Sequence, residues 1–246
     1  MKKLSLPIIL YFVFFQCFTS QSQNLDEILK SHVEVMGYEK LAEIKTITIV
    51  GKRFFGERTV PFKTVIKRPN KYYSERSFRG RKTMQVCDGD KAWSLSPMSG
   101  VSHMYGKQLE MLKRNADFGG MLYQWKEKRL NITLDGREDF EGTELIKLKV
   151  ESETGDVSEI FLDAESFITI KQVTKRTLQE RNITATVIFS NYKMIEGVAV
   201  AFNTETTSDL PTEDGRKLGG GVKVINTIEF NSEVDDSLFT KPETKR

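Results

Sequence analysis

From Leu25 the apolar residues fall at Leu25, Ile28, Leu29, Val33 and Met36, three and four apart, so a helix with one apolar face is predicted there. Gly37 follows as a C-cap, because glycine enters the left-handed region without a Cβ clash. Residues 38–44 add another turn or two. At Lys45 the period changes. Ile47 and Ile49 alternate with threonines, and Val60, Phe62 and Ile66 alternate with Pro61, Lys63 and Lys67, the period-two mark of half-buried strands.

Further strands are expected at 71–79, 82–88, 91–96, 129–135, 144–151, 156–163, 167–176, 182–192, 197–206 and 222–230. Ile146, Leu148 and Val150 against Lys147, Lys149 and Glu151 show the alternation most cleanly. Short breaks at Arg68-Pro-Asn70, Arg79-Gly-Arg81 and Asp88-Gly-Asp90 separate the strands, which favours an antiparallel meander, since hairpins need only short turns. The expected architecture is mainly β with helices: one curved antiparallel sheet of about eleven to twelve strands, with helices at its N-terminus and in its middle. The stretch 98–127 breaks the pattern with Gly100, Gly106, Gly119 and Gly120, a helix predicted over Lys107–Asn115, and four of the eight methionines: Met98, Met104, Met111 and Met121. An insertion of that length in a meander is usually functional or mobile. The stretch 207–221, rich in Asp, Thr and Gly, reads as a solvated, flexible loop.

Ahead of the helix lies a different composition. Lys2 and Lys3 precede an apolar run from Leu6 to Phe15, then Thr19, Ser20 and Ser22. That order predicts a secretory signal peptide over 1–22, cleaved between Ser22 and Gln23, and one domain over 23–246. Cys17 follows Phe14, Phe15 and Gln16 rather than small residues, so lipid anchoring there is not expected. Without Lys2 and Lys3 the 37 basic side chains fall to 35, against 34 acidic ones. So even a balance excludes a nucleic-acid partner, which needs a basic stripe. Cys87 is then the single cysteine, so no intramolecular disulfide is available.

Candidate chemistry is sparse. Gly-x-Ser-x-Gly is absent, and the only histidines are His32, in the first helix, and His103, near Ser99 and Ser102 in the glycine-bearing stretch. A catalytic group around His103 can be drawn, but such serines are ordinary loop residues. Asp88-Gly-Asp90 lacks the alternate acids and twelfth-position glutamate of a calcium loop and reads as a two-residue hairpin turn. Cys87, beside two acids, reads as a structural thiol. No metal and no cofactor is expected. What remains is apolar surface: Phe54, Phe62, Ile66, Tyr72 and Phe78, then Met84 and Val86 with Trp93 and Leu95 across the hairpin, and the four methionines of the insertion. These side chains either fill a core or line a cavity under a lid, and periodicity alone does not separate the two.

As a whole, residues 25–242 resemble the LolA-like outer-membrane lipoprotein-sorting proteins. The resemblance rests on the 28–37 helix leading into Leu41-Ala-Glu-Ile-Lys-Thr-Ile47, on Lys67-Arg-Pro-Asn-Lys71, and on Asp88-Gly-Asp-Lys-Ala-Trp93 followed by Pro97-Met-Ser-Gly100. It continues through Asp135-Gly-Arg-Glu-Asp-Phe-Glu-Gly142, Leu145 to Leu148, Phe161-Leu-Asp-Ala-Glu165 and Asp235-Asp-Ser-Leu-Phe-Thr-Lys-Pro242. It implies an unclosed or half β-barrel lidded by α-helices over an apolar cavity. It further implies a periplasmic, monomeric, non-enzymatic carrier of lipoprotein acyl chains or another lipid, working with inner- and outer-membrane lipoprotein-trafficking proteins. The alternative within the same fold is a periplasmic sensor or interaction module that binds a protein partner. No cargo-binding motif is carried over residue by residue. The cavity residues expected are those named above, from Phe54 to Met121.

Overall fold

The computed structural model describes residues 24–153, 155–178, 181–209 and 220–243, and only the backbone of 176–178 and 181–182. The signal peptide expected over 1–22, with Cys17, lies outside the described residues, as does most of the loop expected at 207–221.

Helix α1 (Leu25–Met36) opens with a capping box: the Asn24 side chain accepts from the Glu27 amide, and the Glu27 carboxylate accepts from the Asn24 amide. Gly37 ends it at φ 68° and leads into α2 (Tyr38–Glu43). A Cβ on Gly37 would lie 1.9 Å from the Gly197 carbonyl oxygen, so the missing side chain is what lets the helix pair approach the sheet. Strands β1 (Thr46–Phe55), β2 (Arg58–Lys67), β3 (Lys71–Phe78), β4 (Arg81–Cys87), β5 (Ala92–Ser96) and β6 (Gly100–Met104) follow as consecutive hairpins. After α3 (Lys107–Asn115) come β7 (Asn131–Phe140), β8 (Thr143–Glu151), β9 (Val157–Asp163), β10 (Thr169–Leu178), β11 (Arg181–Ile195), β12 (Val198–Ser208) and β13 (Gly221–Phe230), then a 3-10 turn at Asp236–Phe239.

All thirteen strands described form one open antiparallel sheet, in the order β6-β5-β4-β3-β2-β1-β13-β12-β11-β10-β9-β8-β7. The count exceeds the eleven to twelve expected because β6 was hidden in the insertion. Its sequence, Gly-Val-Ser-His-Met, offers too little alternation to read as a strand. The first and last strands meet in the middle, where β1 pairs with β2 on one side and β13 on the other. The two edges, β6 and β7, are therefore consecutive in the chain and must be joined by a segment that crosses the whole sheet.

Residues 105–130 make that crossing, so the stretch read as an insertion is a strap. Helix α3 lies against β3 and β4, with Leu112 fully buried. Beyond it Phe118 meets Phe230 of β13 edge-on, with ring centroids 6.3 Å apart, and Met121 accepts a 3.5 Å hydrogen bond from Gln172 of β10. The covered face carries the main core, including Ile28 and Leu41 from the helices, Ile47 and Ile66 from the sheet, and Leu112 and Leu122 from the strap. The opposite face carries a small second core. There Phe239 of the C-terminal turn packs on Val65, Tyr73 and Val86, and Asp236 takes Lys67 at 2.7 Å and Lys71 at 3.0 Å.

The turn of the β4–β5 hairpin differs in detail from its expectation. It spans four residues, 88–91, and the Asp88 carboxylate accepts from the amides of Asp90 (2.9 Å) and Lys91 (2.7 Å). Asp88 closes the turn on itself because a short acidic side chain reaches the amide two residues on. Cys87, read as a structural thiol, is fully buried in the main core, where burial raises its thiol pKa.

Because Leu112 is the fully buried residue of α3, the Leu112→Ala variant is expected to lose about 3 kcal/mol of stability, the usual cost of a core leucine truncation. Urea unfolding checks this, and an unchanged midpoint would show that α3 does not hold the strap down.

Candidate functional site

On the covered face the strap and helices leave a cavity of about 420 Å³, within the size range of small-ligand sites. Its lining comes from strands as far apart in the sheet as β3 (Tyr72) and β9 (Ile160). Eight strands separate these walls in the sheet order, counting both, and laid flat they would span roughly 34 Å at the usual strand spacing. That both face one cavity of this size means the sheet curls into an unclosed half-barrel, as the mainly β expectation with a helical lid had it.

Four of the expected residues line this cavity: Phe62 and Ile66 of β2, Tyr72 of β3, and Met121 of the strap. Phe62 lies across the backbone of Gly51, where an added Cβ would come within 2.8 Å of its ring. Met104 is buried in the same core, beyond the cavity wall. Phe78 shares the inner face but sits at the far tip of β3, between the guanidinium groups of Arg58 (4.9 Å) and Arg79 (5.3 Å).

Seven lie elsewhere. Val86 and Trp93 pair across the hairpin, as do Met84 and Leu95, but all four alternate with Cys87 and Ala92, which face inward. Val86, Met84 and Trp93 therefore belong to the outer core under Phe239. A one-residue change of parity places a side chain on the other face of a sheet, and parity alone does not say which face is concave. Phe54 alternates with inward-facing Arg53, Met98 is 93% exposed at the β5–β6 tip, and Met111 lies on the outer side of α3. His103 is in β6, stacked on Tyr105 and edge-on to Trp93, on the outer face. Among the described residues no group of three or more His, Cys, Asp or Glu could hold a metal ion.

The residues that sequence reasoning missed come from the second half of the sheet and from the strap: Gln172, Phe189, Tyr192, Lys223 and Ile225, with Phe118 and Leu122 above them. Arg53 was also missed. Only the sheet order, which brings β13 beside β1, makes them neighbours of Phe62. A second cavity of about 400 Å³ continues from the first toward the end of β12 and the start of β13. The two share Arg53, Phe189, Thr204 and Lys223.

A buried polar relay fixes the strap over the cavity. His32, fully buried on α1, places Nδ1 2.8 Å from the Phe167 carbonyl and Nε2 3.1 Å from the Tyr38 hydroxyl. The carbonyl can only accept, which sets the proton on Nδ1. The Tyr38 hydroxyl also donates to the Gly119 carbonyl of the strap at 3.1 Å, so one hydroxyl proton serves two acceptors. Tyr38 in turn meets Tyr123 of the strap edge-on at 5.2 Å. Arg68 stacks over Tyr123 while bonding to the carbonyls of Leu41 and Ile44 at the end of α2. Helix pair, sheet and strap thus share one network.

No protein-family model and no curated protein matches the chain. Its likeness is to solved structures. A LolA superfamily protein from Nitrosomonas europaea aligns with a TM-score of 0.57 and 14% identity, over 89% of this chain and 99% of its own. The chain shares the fold of that protein. A DUF1329 family protein from Desulfovibrio piger aligns as well, with a TM-score of 0.57 and 14% identity over 87% of this chain and 97% of its own. A domain assigned to outer membrane lipoprotein sorting, from Vibrio parahaemolyticus, gives 0.52 and 11% identity over 86% and 97%. Among the described residues no helix is long and apolar enough to cross a membrane.

Burial pushes the His32 imidazole from 6.5 down to about 4. Between those values the unfolded chain binds more protons than the folded one, so stability rises with pH across the window and is lost as pH falls from 6.5 to about 4. The full window is worth about 3 kcal/mol. His32→Gln, which keeps hydrogen-bonding atoms without titrating, is expected to flatten that loss in urea unfolding series between pH 4 and 7. An unchanged slope would remove His32 as its source.

Proposed function

We propose that this protein is a periplasmic carrier that shelters an acyl chain, of a lipoprotein or of another lipid, in the cavity between the strap and the inner face of the sheet. The observation that carries the reading is the cavity itself: a curled sheet whose inner face is only partly filled, roofed by a segment that is not part of the sheet. Phe62, Ile66, Tyr72, Ile49 and Ile225 offer the apolar floor, and Phe118, Met121 and Leu122 the roof. Methionine and phenylalanine at such a roof adapt to a mobile chain without demanding one geometry.

The mechanism needs burial, not bond chemistry. Each methylene moved out of water contributes about 0.8 kcal/mol, and no directional contact has to form. Entry requires the strap to lift from β10, where Met121 accepts from Gln172, while the Tyr38 and Arg68 contacts hold its root. Part of the burial energy offsets that opening, which keeps release at an acceptor possible. Its cargo is passed on, so trafficking proteins of the two membranes are its partners in this reading, and residues 1–22 deliver it to that compartment. The polar groups around the cavity serve positioning, and the chain acts without an enzyme's nucleophile or a cofactor.

Native mass spectrometry of gently purified protein from its own envelope is expected to show bound lipid or acylated protein. Phe62→Asp is expected to lose that cargo while keeping the wild-type circular dichroism spectrum. A wild-type protein that is consistently empty would contradict the carrier reading, and a Phe62→Asp protein that keeps its lipid would move the site off this cavity.

A further inference from the structure

The two cavities meet at a group of cations that no ion pair among the described residues neutralises. Arg53 and Lys223 are directly paired residues on neighbouring strands β1 and β13, and both face the cavities. Like charges in that relation are about 5 Å apart at Cβ and repel, so a sheet does not gain by keeping them. Arg76 of β3, paired with Phe62, adds a third positive charge whose field reaches Arg53. Arg53 also lies 5.7 Å from the centre of the Phe62 ring, at the border of the apolar floor.

No carboxylate among the described residues lines this border. Among the described residues neither Arg53, Arg76 nor Lys223 makes an ion pair. Asp117 is the one acid among the described residues that lines either cavity, and it is held by Lys128 of the strap. Glu205 follows Thr204 on β12 and so points to the other face of the sheet. The outer half, by contrast, offers threonine hydroxyls beside the cations, at Thr204 and Thr206. Among the described residues the charged groups facing Lys223 are therefore Arg53 and, through it, Arg76. Burial, reinforced by Arg53, pushes the Lys223 ammonium down to about 8. An apolar trough that ends in cations without an ion pair among the described residues, beside threonine hydroxyls, matches an amphiphile with a negative head.

Resting on the carrier reading, we propose that the ligand is an anionic amphiphile, its chain under the strap and its phosphate or carboxylate held by Arg53, Arg76 and Lys223. The anion relieves the repulsion between paired cations, so the site is completed by its cargo. A neutral lipid of equal length fills the same trough but leaves the cations unmatched.

The test is displacement of the neutral dye 1-N-phenylnaphthylamine from the mature chain at pH 7 by dodecyl phosphate, dodecanoate and dodecanol, with inorganic phosphate as a fourth competitor. Both anions are expected to displace it at concentrations about tenfold lower than dodecanol, the worth of one charge-assisted hydrogen bond or more. Arg53→Gln with Lys223→Gln is expected to bring the anions down to dodecanol's level and leave dodecanol unchanged. Arg53→Gln alone serves if the double variant fails to fold. If dodecanol matches the anions in the wild type, or the variants keep the preference, the head-group assignment is overturned while the carrier reading stands. If inorganic phosphate competes as well as dodecyl phosphate does, the cations hold a free anion and the amphiphile is overturned. If none of the chains binds, the carrier reading fails and this inference with it.

Discussion

The chain must pass from one edge of a thirteen-stranded sheet to the other between β6 and β7, and the rest of the molecule follows from that crossing. Loops do not thread sheets, so the segment runs over one face, and the face it chooses becomes the inside. An open sheet with one face covered curls around its cover. Here the cover is thin. Residues 105–130 bury Leu112, Ala116, Leu122 and Tyr123, yet leave space between Met121 and the floor of Phe62 and Ile66. A broader helical layer would have filled the trough and removed the cavity.

The other constraint is the closure of the first strand on the last. Pairing β1 with β13 places Arg53 against Lys223 and Ile49 against Ile228, joining residues from opposite ends of the described chain. The floor of the cavity is thus built from both halves of the chain. Its apolar part lies at the covered end, near the helices, and its cationic part at the end the strap leaves open. The His32–Tyr38–Gly119 relay holds the covered end with bonds that burial strengthens. Stability is concentrated where the roof is rooted, and the opening lies away from it.

Much of the architecture was legible in the sequence because period two survives wherever a strand buries one face. Ile146, Leu148 and Val150 read as a strand and are fully buried in one. The helix over Lys107–Asn115 and the Gly37 cap were readable from local chemistry as well. What local pattern does not contain is which face is inner. Val86 and Trp93 look as apolar as Phe62 and Tyr72, but they meet Phe239 from the far C-terminus on the outside. Nor does it contain strand order, so the neighbours of Phe62 on β13 and β10 were invisible. The cations were overlooked for a related reason: charged residues on a strand ordinarily read as its solvated face. Only a three-dimensional arrangement shows that Arg53 and Lys223 share the inner one.

The central claim is that an acyl chain occupies the inner face, under the strap. Photolabelling tests it most directly. A diazirine-bearing fatty acid, irradiated in complex with the wild-type protein and mapped by peptide mass spectrometry, should mark the β2 and β3 peptides at Phe62, Ile66 and Tyr72 and the strap peptide at Met121, and spare Trp93 and Phe239. Labels concentrated on Trp93 and the C-terminal turn, or spread evenly over both faces, would contradict the account.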